Sequence, residues 1–382
     1  MIFIWIVLPI IAIGVVIFYL FRKIYRAVDF CKGEMKKSKK NIAAIVGTVL
    51  ILTPAVALKG TWFFVLLHLA AFLLIIDLIM WIGKKVRKND DMPKAVSFLH
   101  RTGIVAIALT VAILTYGYFN IFNVISTNYT VTTEKNIRSE GYKLALISDL
   151  HYGITLNKEQ LEKVVERINK ESPDIVILDG DLVDESTTLP QMKEAFKTLS
   201  GIHNKYGIYY VYGNHDKNNY TSKPYYTPKA LAEEITKDGI TILEDNVEKI
   251  NNDLVLVGRA DRGDGNFIRK NITALTKGLD KNKQWIVLDH QPCEYSEVKK
   301  AGGDIILSGH THAGQILPIG LISPMLHMND LNYGYVKEGN LNEIVTSGIA
   351  GWGYPIRTEK HSEYVIINIK NKYVPGCQSR MA

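Results

Sequence analysis

The sequence predicts a membrane region of four helices, followed by an α/β domain with two packed sheets flanked by helices. Two patterns in the 382-residue chain support this prediction. Residues 1–126 contain four apolar segments of membrane-spanning length. From residue 141 onward, short apolar runs alternate with amphipathic stretches, as strands and helices do in an α/β fold. The polar, aperiodic segment 127–140 is therefore expected to be a linker between the membrane region, 1–126, and the domain, 141–382.

The four predicted spans follow one another closely and suggest a small helical bundle. They cover residues 2–21, 42–58, 62–83 and 103–125. No basic residue precedes the first apolar segment, so we expect an uncleaved span and not a secretory signal. The third span contains His68 and Asp77, which are on roughly opposite faces of a helix. A structural ion pair or bundle contact is favoured for them, because two lone polar residues do not make a transport pathway.

The basic excess of the chain, +7 overall, belongs to the membrane region. Residues 1–126 hold 15 basic and 5 acidic residues, whereas the remainder holds 30 and 33. Because the basic residues lie between apolar segments, they indicate membrane orientation, and no nucleic-acid partner is expected. The segments after the first and third spans are the basic ones, so both should be cytoplasmic. The domain is then expected outside the cytoplasm, at the cell membrane.

The predicted domain begins with a strand at 144–147 and a helix at 157–170, whose apolar residues recur at helical spacing. Further strands are predicted at 174–178, 208–212, 241–243, 254–257, 285–288, 304–307 and 364–367, and further helices at 189–199 and 228–238. Three scattered cysteines, Cys31, Cys293 and Cys377, are too few for a disulfide framework or a thiolate metal site.

Ligand-type side chains follow five of the predicted strands, at the point where each strand ends. In α/β sheets, ligands bind just beyond the carboxyl ends of the strands. A single strand end of this kind could be an Asp turn. A buried carboxylate is costly, however, unless it is paired or bound to metal. Core packing does not explain five such strand ends in one domain. The five segments are Ser148-Asp149-Leu150-His151, Asp179-Gly180-Asp181 with Asp184, Gly213-Asn214-His215-Asp216, Asp289-His290-Gln291-Pro292 and Gly309-His310-Thr311-His312-Ala313-Gly314-Gln315.

The residue types in these segments suit a hydrolase with two metal ions. Asp and His at alternate positions of an extended stretch point to the same side and can hold one ion. Nitrogen and oxygen ligands without thiolate suit Mn²⁺, Fe, Zn²⁺ or Co²⁺ rather than Ca²⁺. Two ions about 3.5–4 Å apart can hold a hydroxide between them and stabilise in-line displacement at phosphorus. We therefore expect Asp181 to bridge the ions, with Gly180 allowing a tight turn beneath them.

The order Asp-x-His, Gly-Asp-x-x-Asp, Gly-Asn-His-Asp, a lone His and Gly-His-x-His resembles the calcineurin-like metallophosphoesterase superfamily over residues 141–370. The segment 346–357, TSGIAGWGYPIR, is similar to a bacterial membrane-associated branch of predicted phosphodiesterases and UDP-2,3-diacylglucosamine hydrolase-like enzymes. The resemblance implies a four-layered α/β/β/α sandwich. It implies one metal held by Asp149, His151, Asp181 and His312, and a second held by Asp181, Asn214, His290 and His310.

The resemblance also implies roles for residues beside the metals. His215 would act as an acid or transition-state stabiliser, oriented by Asp216. Asp184 is not a ligand in this pattern and is expected to support a ligand or to cap a turn. Ala313 stands where many relatives have a second Gly. Arg357 is open to two interpretations, since it could bind a phosphate oxygen of the substrate or cap the sheet.

The resulting hypothesis is a membrane-anchored dimetal phosphoesterase that hydrolyses a phosphodiester or pyrophosphate bond of an amphiphilic or lipid-linked substrate. Two loops, 218–227 with three tyrosines and the apolar 317–328, could shape the substrate site and receive acyl chains, or pack as ordinary core. The alternatives are a phosphomonoesterase or broad-specificity phosphodiesterase acting on soluble substrates, and a non-catalytic membrane sensor that retains the fold. A non-catalytic relative should lack a ligand, and none is missing.

Overall fold

The computed structural model of the chain describes residues 8–58, 60–87, 92–265 and 268–372. It divides into two units, Met1–Tyr116 and Gly117–Ala382, a boundary earlier than the predicted one at 126. Cys31 is exposed and Cys293 is buried, while Cys377 lies outside the described residues. Burial raises the pKa of the Cys293 thiol to about 11, which fits an inert packing residue.

The first unit is built from helices. They are α1 (Leu8–Cys31), α2 (Lys37–Leu52), α3 (Pro54–Leu58), α4 (Gly60–Arg87), α5 (Lys94–Thr102) and α6 (Ile104–Ile121), the last of which ends in the second unit. Three stretches of the described residues are long and apolar enough to cross a membrane, namely Lys37–Leu58, Gly60–Val86 and Ile104–Ile121. They correspond to the predicted second, third and fourth spans. The predicted first span, 2–21, begins outside the described residues and continues into α1, so it stays a prediction.

The ionisable residues of the third span make structural contacts. Asp77 on α4 forms an ion pair with Lys23 of α1, and its carboxylate lies 2.7 Å from His100 Nε2 of α5. The hydroxyl of Tyr19 donates to the same carboxylate over 2.9 Å. His68 Nδ1 lies 2.8 Å from a carbonyl oxygen one turn earlier in its own helix. The expectation of an ion pair within the bundle is therefore confirmed for Asp77.

The second unit contains two six-stranded sheets. In spatial order, the first sheet consists of β1 (Val124–Thr133), β12 (Ser362–Asn371), β2 (Tyr142–Ile147), β3 (Ile175–Asp179), β4 (Ile208–Val211) and β5 (Ile240–Ile242). The second consists of β10 (Gly334–Glu338), β11 (Leu341–Val345), β9 (Ile305–Ser308), β8 (Gln284–Leu288), β7 (Leu254–Gly258) and β6 (Asn246–Lys249). Strands β2 to β5 are mutually parallel, and so are β7, β8, β9 and β11. Their carboxyl ends meet at one edge of each sheet, where ligands bind in α/β folds.

Apolar side chains fill the space between the sheets and cover their opposite faces. The layer between the sheets includes Leu146, Ile177, Leu256 and Ile286, all fully buried. The helices of this unit are α7 (Lys158–Glu171), α8 (Leu189–Leu199), α9 (Pro228–Lys237), α10 (Ile272–Leu275), α11 (Tyr295–Ala301) and α12 (Ile319–Met325). Helices α7 to α9 pack against the first sheet, and α11 packs against the second. The predicted α/β fold with two sheets is therefore confirmed.

Helix α7 shows how local sequence positions an element. Its buried face consists of Leu161, Val164, Val165 and Ile168, which recur at helical spacing. The Asn157 side chain accepts a hydrogen bond from the Gln160 backbone N–H, and the Gln160 side chain accepts one from the Asn157 N–H. This reciprocal cap begins the helix directly after Asn157 and directs the chain that leaves β2 back across the sheet.

The segment predicted to be a linker is largely a strand. Residues 127–133 belong to β1, which pairs in parallel with β12 along its whole length. The prediction of a linker is therefore wrong for this stretch. Because β1 is an edge strand, Asn128 and Thr130 are exposed while Val131 and Thr133 are buried. Most residues of this alternating pattern are polar, so the sequence has little of the apolar pattern that predicts a strand. The short strands β6, β10 and β11 are not predicted from the sequence, because none of them contains a long apolar run.

The last turn of α6 packs within the second unit. The Asn120 side chain donates to the carbonyl oxygens of Arg357 over 3.0 Å and Lys360 over 2.6 Å. Its Oδ1 lies 2.8 Å from His361 Nδ1, and Asn120 is only 4% exposed. The Gly117 carbonyl accepts a hydrogen bond from the Arg357 N–H over 3.0 Å. Since β1 follows α6 almost directly, the helix end and the sheet form one continuous structure.

Candidate metal centre

The five ligand-bearing segments lie at the carboxyl ends of β2, β3, β4, β8 and β9. They bring together two groups of three ligand atoms, with the atoms of each group within 4.8 Å of one another. One group is Asp149, His151 and His312, and the other is Asp181, His290 and His310. With Asn214, these are the residues that the resemblance assigns to two metals. All are buried except His310, which is half-buried.

Asp181 belongs to the second group and also approaches the first. Its Oδ2 is 3.0 Å from His290 Nε2 in the second group and 3.9 Å from His151 Nε2 in the first. Its Oδ1 accepts a hydrogen bond from the His215 backbone N–H over 2.9 Å, which orients the carboxylate. A carboxylate in this position can contact an ion in each group, as the sequence predicts for Asp181.

Buried ligand atoms show whether the site suits metal ions. His151 Nε2 and Asn214 Oδ1 are both buried, and neither has a hydrogen-bond partner among the described residues. An unpaired buried polar atom costs about 1–3 kcal/mol, a cost that coordination of a metal removes. The donors are imidazole nitrogens with carboxylate and amide oxygens, a set that suits Mn²⁺, Fe, Zn²⁺ or Co²⁺. The residues therefore fit two divalent ions of this class.

The ligand histidines are oriented through their second ring nitrogens. His151 Nδ1 lies 3.2 Å from Asp184 Oδ2, and His290 Nδ1 lies 2.6 Å from the Asp179 carbonyl oxygen. Such partners fix the tautomer and the ring orientation of a metal ligand. Asp184 Oδ1 also accepts a hydrogen bond from the Ser186 backbone N–H over 2.8 Å. Asp184 therefore contacts a candidate ligand and caps a turn.

Five of the candidate ligands occupy the left-handed region of backbone space, which residues other than glycine rarely adopt. Each such conformation costs about 1–3 kcal/mol and is typical of functional sites. Gly180 has a φ of +75°, and a Cβ there would lie 2.5 Å from Gly213 N and 2.7 Å from His290 Nδ1. The tight turn predicted beneath Asp181 therefore requires glycine. The ligand φ angles are 54° for Asp149, 39° for His151, 51° for Asp181, 67° for His310 and 48° for His312.

Burial and neighbouring charges set the protonation of the ligands. Burial raises the pKa of Asp149. Although burial opposes the ionisation of Asp181 as well, the nearby His290 holds the pKa of Asp181 well below its usual range. Burial lowers the pKa of His310 to about 4 and that of His312 well below its ordinary value. Both of these rings are therefore neutral near pH 7 and keep a lone pair for a metal.

His215 is held by Glu185 and not by Asp216. Its Nδ1 lies 2.9 Å from Glu185 Oε2. Although burial lowers the pKa of His215, the nearby carboxylates of Glu185, Asp181 and Asp184 together outweigh burial and raise that pKa above its ordinary value. The prediction that Asp216 orients His215 is wrong, because both Asp216 oxygens hold the turn that carries Asp181. They accept hydrogen bonds of 2.6–3.2 Å from the backbone N–H groups of Asp181, Leu182, Val183 and Gly213.

Glu185 is not among the predicted site residues, although its position directly after Asp184 was a usable signal. Replacing Glu185 by alanine is expected to lower turnover about 10-fold or more, because His215 loses its partner while no metal ligand is removed. Glu185→Gln keeps an acceptor and should lose less. Glu233→Ala, which removes an exposed carboxylate paired with Lys229 on α9, is the control. Steady-state kinetics with metal analysis check this, and unchanged turnover in Glu185→Ala would contradict the role.

Arg357 supports the loop that carries His312. It is fully buried, and Nη1 donates to the His312 carbonyl oxygen over 2.9 Å. Nη2 donates to the carbonyl oxygens of Ser347 over 2.9 Å and Ala350 over 2.7 Å. Burial lowers the pKa of the Arg357 guanidinium to about 10. Of the two predicted roles, these contacts favour structural support over binding of a phosphate oxygen.

Arg357→Met is therefore expected to lower stability and not substrate affinity. Unpairing buried carbonyl groups costs about 2 kcal/mol or more, which is a fall in Tm of roughly 4–8 °C for a domain of this size. Arg167→Met is the matched control, because Arg167 is exposed and donates to a single carbonyl, that of Val124. Thermal unfolding and KM are the measurements. A raised KM with an unchanged Tm would instead indicate that Arg357 binds substrate.

Two loops near the ligands expose large side chains. In the first, Tyr220 is 61% exposed and Tyr225 is 59% exposed, whereas Tyr226 is buried. The second follows the His310-x-His312 segment and contains α12, whose aliphatic side chains are 43–78% exposed. Ordinary core packing therefore does not describe the apolar segment 317–328. Its exposed large hydrophobic residues are Ile319, Leu321, Ile322, Met325, Leu326 and Met328.

Residues 142–314 match the model of a family described as calcineurin-like phosphoesterase. An uncharacterized metallophosphoesterase of Helicobacter pylori is 31% identical over 237 residues. The match covers 60% of this chain and 60% of the Helicobacter protein. A Danio rerio protein named transmembrane protein with metallophosphoesterase domain is 26% identical over 317 residues, which cover 78% of this chain and 70% of that protein.

A solved dimetal phosphatase from Danio rerio shares 10% sequence identity and superimposes with a TM-score of 0.39, over 60% of this chain and 93% of that one. The matched segment of the family model contains every candidate ligand, from Asp149 to His312. The names of the bacterial and the fish relative both contain the term metallophosphoesterase. The match to the family model identifies residues 142–314 as a calcineurin-like metallophosphoesterase domain.

Proposed function

We propose that this chain is a membrane-anchored phosphoester hydrolase that uses two divalent metal ions. The observation that supports this most strongly is the position of Asp181, which belongs to one ligand group and approaches the other. When bound, the ions supply Lewis-acid stabilisation of the phosphoryl oxygens and activate water as the nucleophile. One ion would be held by Asp149, His151, Asp181 and His312, and the other by Asp181, Asn214, His290 and His310.

His215 would give a proton to the leaving oxygen. Its ring centroid is 5.4 Å from that of His151, so it lies beside the ligands while belonging to neither group. The Glu185 carboxylate favours the protonated ring, which is the form that a general acid needs. The His215 backbone N–H orients Asp181. The same residue would therefore donate the proton and position the shared carboxylate.

We further propose a phosphodiester or pyrophosphate bond of an amphiphilic or lipid-linked molecule as the substrate. Three apolar helices of membrane-spanning length support this, because an anchored enzyme meets lipid-linked substrates at a raised effective concentration. The exposed aliphatic side chains of α12, close after His312 in the chain, offer a surface that fits an acyl chain. Soluble monoesters or diesters are the alternative substrates, and a non-catalytic membrane sensor is the alternative function.

A matched pair of diesters separates these possibilities. The full-length protein, reconstituted in liposomes with Mn²⁺, should hydrolyse a long-chain diester faster than a short-chain, water-soluble diester with the same head group. Activity should disappear with a chelator and return with Mn²⁺, Fe²⁺, Zn²⁺ or Co²⁺. Replacing Leu321, Met325 and Leu326 by asparagine should remove the preference for the long-chain diester. Equal rates on both diesters would refute the lipid-linked substrate, and no hydrolysis by protein with both ions bound would favour the sensor.

We also propose four membrane spans, a four-layered α/β/β/α domain, and a domain that faces away from the cytoplasm at the cell membrane. The basic segments after the first and third predicted spans support this orientation. In a Cys31→Ser, Cys377→Ser background, an impermeant thiol reagent should label Ser139→Cys in intact cells but not Ser38→Cys. Both positions are exposed, so both should react after permeabilisation. The opposite pattern in intact cells would reverse the topology.

A further inference from the structure

Two exposed aromatic side chains lie next to the His215 ring. The centroid of the Tyr220 ring is 5.0 Å from that of His215, and the centroid of Trp352 is 5.7 Å away. Tyr220 is 61% exposed and Trp352 is 48% exposed. Rings of this size are normally more deeply buried, so their exposure beside a proton donor leaves apolar surface open to a ligand.

Both aromatic residues are attached to the loops that carry metal ligands. The Tyr220 hydroxyl accepts a hydrogen bond from Asn214 Nδ2 over 3.4 Å. The Gln315 side chain accepts a hydrogen bond from the Trp352 backbone N–H over 2.9 Å and donates one to the Trp352 backbone carbonyl oxygen over 3.2 Å. Gln315 closes the segment that begins with the ligands His310 and His312. Because the Tyr220 hydroxyl and the Trp352 backbone are held relative to the ligands, binding against the two rings orders few additional backbone groups.

The geometry points to an aromatic subsite, formed by Tyr220 and Trp352, that binds a flat aromatic or heteroaromatic ring on the leaving group. This inference deepens the proposed function and rests on it. A leaving oxygen that receives a proton from His215 must lie within hydrogen-bond reach of that ring. Aromatic pairs prefer centroid separations of about 4.5–7 Å. A ring attached to the leaving oxygen would therefore meet Tyr220 and Trp352 at distances at which aromatic rings attract one another.

The same two rings could instead shield His215 from water. Shielding changes the surroundings of His215 and therefore acts on every substrate or inhibitor alike. An aromatic subsite acts only on ligands that bear a ring. Two phosphonates, one with a ring and one without, therefore distinguish the two roles. Only an aromatic subsite makes the protein prefer the phosphonate that bears the ring.

Calorimetric binding of phenylphosphonate and methylphosphonate to the Mn²⁺-loaded, full-length protein measures this discrimination. The wild-type protein is expected to bind phenylphosphonate about 10-fold more tightly than methylphosphonate. Trp352→Ala and Tyr220→Ala should each lower this ratio about threefold or more, with methylphosphonate affinity and metal content unchanged. Trp352→Phe and Tyr220→Phe should keep most of the ratio, since both retain a ring. Tyr225→Ala, which removes a tyrosine of similar exposure from the same loop, should leave it unchanged.

Three results would overturn the aromatic subsite. They are a ratio near one in the wild-type protein, a ratio that neither alanine substitution alters, and an equal weakening of both phosphonates, which is the signature of shielding. If neither phosphonate binds although two ions are present, the proposed function fails and the subsite fails with it. Normal binding of methylphosphonate without a phenyl preference would overturn the subsite alone.

Discussion

Replacing Asp181 by alanine is expected to abolish phosphoester hydrolysis and to remove at least one metal ion, while the fold persists. The reason is that the Asp181 carboxylate approaches both ligand groups, at 3.0 Å from His290 Nε2 and 3.9 Å from His151 Nε2. Its loss would remove a ligand from each of the two proposed ions and the negative charge that would offset their mutual repulsion. Elemental analysis of the purified protein measures the ion content, and circular dichroism measures the fold.

Asp253→Ala is the matched control for this substitution. Asp253 immediately precedes β7, at the end of the sheet opposite to the ligands, and accepts hydrogen bonds from the Arg138 N–H over 2.7 Å and the Tyr142 hydroxyl over 2.5 Å. Its loss should lower stability but leave both ions and the turnover of folded protein in place. Full activity with two bound ions in Asp181→Ala would show that the carboxylate is not shared.

His215→Ala should lower turnover by about 10²–10⁴, the usual range for losing a general acid or base, while both ions remain bound. The ions remain because His215 belongs to neither ligand group. The loss should be smaller for aryl phosphoesters with acidic phenols than for alkyl phosphoesters, because a good leaving group needs less protonation. Turnover across a series of leaving groups is the measurement.

His203→Ala, which removes an exposed histidine, is the control for this series. It should retain wild-type turnover on every substrate. An equal loss across all leaving groups in His215→Ala would argue against proton donation, and would leave electrostatic stabilisation of the transition state as its role. Loss of an ion from His215→Ala would contradict its placement outside both ligand groups.

The clustering of the candidate ligands could be predicted because each motif lies at the end of an apolar run in the sequence. Asp149 follows β2, Asp181 follows β3, and His310 follows β9. Parallel strands bring such positions to one edge, so the order of the motifs along the chain was enough to assemble them. The fold class followed from the same alternation of apolar runs and amphipathic stretches.

The partners of these residues could not be predicted in the same way. Asp216 is adjacent to His215 in the chain, but its carboxylate accepts hydrogen bonds from the backbone of the turn that carries Asp181. The partner of His215, Glu185, comes from a different loop, and only the folded arrangement of β3 and β4 brings the two together. Arg357 was left with two roles, because its complete burial depends on contacts distant in sequence.

The joint between α6 and the first sheet restricts how this domain can exist without its membrane helices. A fragment that begins at 141 lacks β1, and β12 then presents an unpaired edge that can template aggregation. A fragment that begins at 127 also lacks Asn120, which leaves the Arg357 and Lys360 carbonyl groups without that donor, beside the loop that positions His312. Proteolytic cleavage between α6 and β1 would therefore shed a weakened domain, and a soluble version has to begin before Gly117, inside the last membrane helix.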